Sequence, residues 1–377
     1  MNKKLYFQKC IFKHQFLHLA ILATVFISSQ CSDKEPTNNF NSDYTPPELT
    51  NTTWETIADP ESVGWSTEKL QDAYEFSKDM DTAALMLIYQ GKVLYHWGDL
   101  TRKYWVHSCR KSFMSALYGI HVDEGTIDIS KTMADLGIDD NPPSLTDIEK
   151  TATVQMLLQA RSGIYHPAAA EAPSMKAERP ERYSHDPGTF WYYNNWDFNA
   201  LGTIFEKETG EKIFENLKER IADPIGMEDF EVSDGHYQYE SLSIHPAYPF
   251  RMSARDMGRF GLLFLQNGVW KGDQIVSEQW IEESTSPYSD TGNSGGYGYM
   301  WWITGDQVLD NLNEGSYYAS GYNGHYIFII PDMDLVVVHR VNTDTNDNVI
   351  SLEFFYLLGL IIDAKTGCQL IKNQNVY

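Results

Sequence analysis

The sequence predicts a mixed α/β (α+β) domain whose antiparallel sheet is built from N- and C-terminal strands and flanked by helices, with a mostly helical second lobe between them. Three observations predict it. Two apolar runs, Ala84–Tyr89 and Val93–Trp97, are separated by Gln90-Gly91-Lys92, which is a hairpin signal. From about Ile127 to Gln266, helical stretches are broken by long Pro- and Gly-rich loops. The period then changes, and 299–303, 317–320, 325–330 and 335–340 read as successive strands, with Pro331-Asp-Met-Asp334 as the last turn. If the hairpin joins the C-terminal strands, helices cover the resulting sheet and the middle of the chain forms the second lobe. A site is expected in the cleft between two such lobes.

Residues 1–30 stand apart from this domain. Lys3, Lys4, Lys9 and Lys13 precede the apolar run Phe16–Ile27, which is short for a membrane span and reads as a signal-peptide core. The run ends Ile27-Ser-Ser-Gln-Cys31. This resembles a bacterial lipoprotein signal, with Gln30 departing from the usual small residue. The resemblance implies that Cys31 is acylated and becomes the mature N-terminus. Acyl chains there would hold an exported protein on a bacterial membrane, facing periplasm or cell surface, without a spanning helix. Residues 31–53, rich in Asn, Asp, Thr and Pro, read as a flexible tether, leaving 54–377 as the domain.

Within the domain, Ser66-Thr-Glu-Lys69 opens a helix running to about Lys78, ahead of the hairpin. A second helix starts at about Ser108, with Phe113, Leu117 and Ile120 on one face and Gly125 placed to stop it. A final apolar helix spans about Val349 to Ile362.

Charge narrows the partners. The chain carries −23, and the first 30 residues hold four lysines and no acids, so the remainder carries −23 − 4 = −27. Such acidity argues against nucleic acid and anionic membrane surfaces. Of four cysteines, Cys10 lies in the signal and Cys31 is the expected lipid site, leaving Cys109 and Cys368, too few for a disulfide framework. The eleven histidines are scattered without metal-ligand spacing, so neither metal nor cofactor is expected.

Ser108-Cys-Arg-Lys111 places a serine and a lysine on one helix face, with the serine at the N-terminal end, where the helix field favours developing negative charge. The spacing alone is weak evidence, since Ser66-Thr-Glu-Lys69 shares it and reads as a plain N-cap. Its neighbourhood carries more. The stretch Ser108–Ile129 resembles the nucleophile helix of the class C β-lactamase and penicillin-binding protein superfamily. Thr153–Gly163 is similar to the helix and Ser-Gly turn that follow it there, and Pro187–Gly202 to the segment with the Tyr-x-Asn motif. Spacing from Pro187-Gly188 and from Leu201-Gly202 aligns that motif to Tyr193-Asn194-Asn195, with Tyr192-Tyr193-Asn194 as the rival frame. For the family's third motif, a Lys- or His-Thr/Ser-Gly, a literal Lys365-Thr366-Gly367 reads as a helix end. Ala319-Ser320-Gly321-Tyr322-Asn-Gly324 is the better counterpart, similar to the esterase and aminohexanoate-dimer hydrolase branch, as are Met252 and the run Ser253–Leu263.

The resemblance, which covers roughly residues 60 to 360, implies a β-lactamase/transpeptidase-like fold and a serine hydrolase acting through an acyl-enzyme. Ser108 would be the nucleophile, Lys111 or Tyr193 its proton acceptor, and Tyr193 the acid for the leaving group. The N–H groups of Ser108 and Tyr322 would form the oxyanion hole beside Ser320 and Gly321, and Asn195 would orient the lysine and the substrate. Tyr165 matches a substrate-facing tyrosine of the same branch. A free lysine, pKa ~10.4, is almost wholly protonated at neutral pH, so Lys111 needs burial or a second cation to act as a base. Whether Lys111 and Tyr193 rest as a charged or a neutral pair stays open here. Ala319 lacks the cation that helps β-lactamases and peptidases hold a substrate carboxylate, which favours neutral small-molecule esters or amides. β-Lactamase or D-Ala-D-Ala carboxypeptidase activity is the enzymatic alternative, and a catalytically weak cell-wall or glycan-binding lipoprotein the non-enzymatic one. Trp191, Tyr192, Trp196, Trp301 and Trp302 are candidates for a pocket lining or for core packing. Cys109 reads as a small core residue.

Overall fold

Gln90 and Gly91 both take the left-handed backbone conformation, with φ of 51° and 75°. That two-residue turn folds Thr82–Tyr89 (β1) back onto Lys92–Gly98 (β2) in antiparallel register. These elements belong to the computed structural model of the chain, which describes residues 44–291, 295–305 and 315–365. The signal segment, Cys31, Thr366, Gly367 and Cys368 lie outside the described residues.

The three C-terminal strands are Tyr317–Gly321 (β3), His325–Ile330 (β4) and Leu335–Val341 (β5). β5 lies beside β1, pairing Leu85 with His339 and Leu87 with Val337, so the last strand bridges the N-terminal hairpin to the rest of the sheet. The sheet order is β2–β1–β5–β4–β3, extended past β3 by the short strands Trp302–Ile303, Gly296–Tyr297 and Ser289–Asp290. Every neighbouring pair is antiparallel, as expected from the alternation of apolar runs and tight turns.

Every residue of β4 and β5 is buried, because helices cover both faces of the sheet. Five longer helices are Thr67–Ser77 (α1), Arg110–Asp123 (α2), Asn195–Thr209 (α3), Ala254–Leu265 (α4) and Ser351–Asp363 (α5). On one face, Phe354 of α5 stacks on Tyr326 at 3.8 Å. On the other, α4 comes close through Gly261, where a Cβ would lie 2.6 Å from Val336 Cγ1. α2 and α3 carry the second lobe with the short helices Val154–Leu158, Pro173–Glu178 and Ile213–Leu217. Ser66 caps α1, its hydroxyl accepting from Lys69 N–H, and Lys69 donates to the Asp363 carbonyl; that Ser-x-x-Lys match is structural.

Two expectations change. The strand expected over 299–303 forms only at Trp302–Ile303. Met300 adopts a left-handed φ of 61°, its N–H donates to the Leu158 carbonyl, and its own carbonyl accepts from Ser112 of α2 at 2.8 Å. The segment before Trp302 is therefore spent sealing α2. The tether also ends sooner than residue 53: the Pro47 carbonyl accepts from His96 Nε2 at 3.1 Å, and Thr52 and Thr53 donate to the Glu228 carboxylate.

Candidate active site

A short 3-10 turn, His107–Cys109, leads into α2 and sets the position of Ser108. His107 holds a left-handed φ of 48°, uncommon for a residue with a Cβ. Its Nε2 lies 2.8 Å from Thr343 Oγ1, and Val106 N–H donates to the Phe250 carbonyl, so the turn is fastened on both sides. Behind it Arg340, fully buried, donates to the carbonyls of Tyr104, Trp105 and Met252 and to His325 Nδ1. One side chain thus ties the strand entering the Ser108 turn to the start of β4. Cys109 is buried, its thiol pushed up to about 12 by burial, and its Sγ lies 3.6 Å from the His325 carbonyl; it packs as expected.

Lys111 is only 1% exposed. Its Nζ lies 2.9 Å from Ser108 Oγ and 2.7 Å from Tyr193 OH, and sits 4.4 Å from the Tyr193 ring centre and 4.6 Å from that of Phe198. Burial holds the Lys111 pKa well below the usual lysine range, and the neighbouring Arg110 charge adds to the effect. Burial likewise pushes Tyr193 up to about 12, against the opposing pull of its Ser108 hydrogen bond and of Arg110. Both shifts favour the uncharged pair. A neutral amine within hydrogen-bond reach of a serine hydroxyl is the geometry of a general base.

The two tyrosine frames separate here. Tyr192 OH donates to the Met175 carbonyl, while Tyr193 OH meets Lys111. Asn194 caps α3 and donates to the Ile164 carbonyl and to Asp197. Asp197, fully buried, also accepts from Ser162 at 2.5 Å, and burial raises its carboxyl well above the carboxylate range. This network locks the Ser162-Gly163 turn to the segment carrying Tyr193. The Asn195 Nδ2 donates to the Ala170 carbonyl at 2.7 Å, leaving Oδ1 buried without a protein partner on the cavity wall. Lys111 is held by Ser108 and Tyr193, not by Asn195.

Ser320 and Gly321 end β3, followed by Tyr322, beside the Ser108 turn. The approach depends on a bare α-carbon: a Cβ at Gly321 would lie 2.6 Å from the Val106 carbonyl oxygen and 2.9 Å from His325 Cβ.

Ser108, Tyr193, Asn195, Ser320, Gly321 and Tyr322 border one cavity of about 1250 Å³, with Lys111 buried behind Ser108 and Tyr193. Trp191, Tyr192 and Trp302 line it, whereas Trp196 and Trp301 are fully buried in the core. Tyr165 does not line the cavity, contrary to expectation. It packs edge-on against Tyr192 with its hydroxyl 3.1 Å from His185 Nδ1, so Tyr192 takes the wall position. Sequence reasoning missed Arg110, His107 and Trp105, and the walls supplied by residues 170–178, 236–249 and 348–351. Arg110 had a signal, since it lies inside the Ser-x-x-Lys motif, but the motif leaves that position free. Among the described residues, no group of His, Cys, Asp or Glu could hold a metal ion.

The family model for Beta-lactamase matches residues 67–358, which span every one of these elements. The chain belongs to the beta-lactamase family. It is a family of serine hydrolases, and the motifs quoted above fall within the match. The chain is also 30% identical over 96 residues to a 6-aminohexanoate-dimer hydrolase from Paenarthrobacter ureafaciens; that match spans 23% of this chain and 23% of the relative's length. Among solved structures, an octameric penicillin-binding protein homologue from Pyrococcus abyssi superposes with a TM-score of 0.58 at 20% identity, over 78% of this chain and 77% of its own. A beta-lactamase from Mycobacterium bovis gives 0.54 at 19% identity over 78% and 97%. At such identities these likenesses establish the shared fold, the β-lactamase/transpeptidase-like arrangement of sheet and helices.

Proposed function

We propose that this member of the beta-lactamase family cleaves ester or amide bonds through an acyl-enzyme on Ser108. The observation that carries the reading is the buried Lys111 amine, held between Ser108 Oγ and Tyr193 OH. Ser108 Oγ attacks the substrate carbonyl as its proton passes to the neutral Lys111, which lies within transfer distance. Negative charge on the carbonyl oxygen is met by the N–H groups of Ser108 and Tyr322, donors typically worth a few kcal/mol, on the order of 10²–10³ in rate. The leaving oxygen or nitrogen takes the Tyr193 hydroxyl proton, and Lys111 returns its proton to Tyr193 along their 2.7 Å contact. Water then attacks the acyl-enzyme with the same pair as base, releasing the acid and restoring Ser108. Asn195 Oδ1, with no protein partner, is free to accept an N–H of a substrate amide.

The test is hydrolysis of p-nitrophenyl butyrate and nitrocefin by the protein and its Ser108→Ala variant. The expected result is ester turnover that vanishes in the variant, with slow nitrocefin cleavage. Nitrocefin turnover rivalling the ester would favour β-lactamase chemistry, and turnover independent of Ser108 would overturn the assignment. The N-terminal segment supports an exported protein held to a membrane through acylated Cys31. Incorporation of a tagged fatty acid, lost in Cys31→Ala, is the matching test.

A further inference from the structure

Arg110 stands two residues from Ser108, lines the cavity and is 6% exposed. Its guanidinium is nearly unused. Nη1 donates to the His107 carbonyl at 3.3 Å, while Nε and Nη2 are buried without a partner. Other arginines of the domain show what that fork ordinarily finds: Arg182 pairs with Glu149, Arg251 with Asp344 and Arg255 with Asp229, each through two nitrogens. Arg340, which has no acid, spends its donors on three carbonyls and a histidine nitrogen. Arg179 and Arg259 also carry an unpartnered Nε, but each already holds a glutamate. Among the described residues, Arg110 is thus the arginine with buried, unpartnered donors and no carboxylate of its own. Buried donors left unpaired are unfavourable, the more so on a charged group, so a site of this kind is built for an incoming acceptor.

We infer that Arg110 anchors a carboxylate on the acyl side of the substrate, so that the preferred substrates are esters or amides of acids carrying a second carboxylate. The inference rests on the hydrolase reading and revises the expectation of neutral substrates: the cation missing at Ala319 is supplied by the nucleophile helix instead. Its side of the cavity follows from its neighbours. Tyr193, which serves the leaving group, shares its wall with Trp191 and Trp302. Arg110 stacks over Tyr248 at 5.2 Å, next in sequence to the cavity-lining Pro249, and donates to the carbonyl of cavity-lining His107. Of the three acids that line the cavity, Glu171 is paired with Arg179, Glu240 accepts from Ala170 N–H and Gln238, and Glu178 is the third. Among the described residues Arg110 is the only arginine or lysine that lines the cavity, so an anionic group is drawn to it, and a guanidinium is suited to a carboxylate.

The experiment compares kcat/KM for mono-p-nitrophenyl adipate and p-nitrophenyl hexanoate, acyl chains of equal length that differ by the terminal carboxylate. The ratio is read within the wild type, Arg110→Gln and Arg110→Lys, so a change in basal turnover cancels. The expected ratio in the wild type is about tenfold or more in favour of the anionic ester. It falls towards unity in Arg110→Gln and lies between in Arg110→Lys, which keeps charge without the fork. A wild-type ratio near one, or a ratio unchanged in Arg110→Gln, overturns the inference. Calorimetric binding of adipate monomethyl ester against methyl hexanoate to Ser108→Ala gives the same comparison without turnover. If neither nitrophenyl ester is cleaved, the hydrolase reading fails, and the binding preference still decides Arg110.

Discussion

Replacing Gly321 by alanine would set a methyl carbon 2.6 Å from the Val106 carbonyl oxygen, 2.9 Å from His325 Cβ and 3.3 Å from Cys109 Sγ. Carbon contacts ordinarily settle at about 3.5–4.0 Å, so the end of β3 has to retreat by on the order of 0.5–1 Å. The nucleophile turn cannot yield in its place. Val106 is hydrogen-bonded to Phe250, and the strand before it is held by Arg340. The retreat would carry the Tyr322 N–H away from the oxyanion position proposed for it. Misplacement of a catalytic group by about 1 Å is enough for a loss of ~10²-fold, and complete loss of one oxyanion donor for ~10²–10³. Gly321→Ala is therefore expected to lower kcat for p-nitrophenyl butyrate by about 10²-fold with KM changed far less. The overpacking should remove about 1–3 kcal/mol of stability, read by urea denaturation. A folded Gly321→Ala protein whose kcat stays within about threefold of the wild type would refute the placement of the oxyanion hole at the end of β3.

Three further outcomes follow from the same geometry. Tyr193→Phe keeps the ring against Phe198, Tyr297 and Trp302 but deletes the hydroxyl beside Lys111, so kcat should fall by about 10²-fold or more with the melting temperature little changed. Burial depresses Lys111, so the rate should already be high at neutral pH and fall only as pH drops through that lowered value; a pH–rate profile whose acidic limb lies near the usual lysine pKa would contradict the buried base. Burial holds His107 and His339 down to about 4, with Arg110 adding to the effect on His107, whereas the unfolded chain takes up these protons near ~6.5. Native stability is therefore fully present above that range and declines as pH falls towards 4, by up to about 3 kcal/mol per group, measurable as a falling urea midpoint between pH 7 and pH 5.

The hairpin, the nucleophile helix and the three C-terminal strands were legible because each is local: an apolar run of the right period ends at a turn whose residues accept a left-handed backbone. The Ser-Lys pair was legible for the same reason, since one helical turn joins them. Met300 shows where that reach ends. Its segment is as apolar as a strand, yet its backbone is taken by Leu158 and Ser112, residues far away in the chain. The pairing of Tyr104-Trp105 with Arg251-Met252 is equally non-local, two residues long on each side, and left no periodic trace. Tyr165 failed because a resemblance fixes a residue's place in the chain and not which of two adjacent rings faces the cavity. Arg110 was missed because an unpaired guanidinium is a property of surroundings: its significance lies in the carboxylate that no other part of the fold provides.

The pairing of β1 with β5 ties the making of the protein to its far end. The hairpin is synthesised early, but its partner edge is not complete until Val341 has left the ribosome, when most of the domain has already been made. Until then the apolar strand Leu85–Ile88 lacks its partner β5, and exposed apolar strands of that kind are prone to associate wrongly. Once β5 is seated, the order reverses: the strand that arrives last lies inside the sheet, between β1 and β4, and losing it would part the hairpin from the other strands.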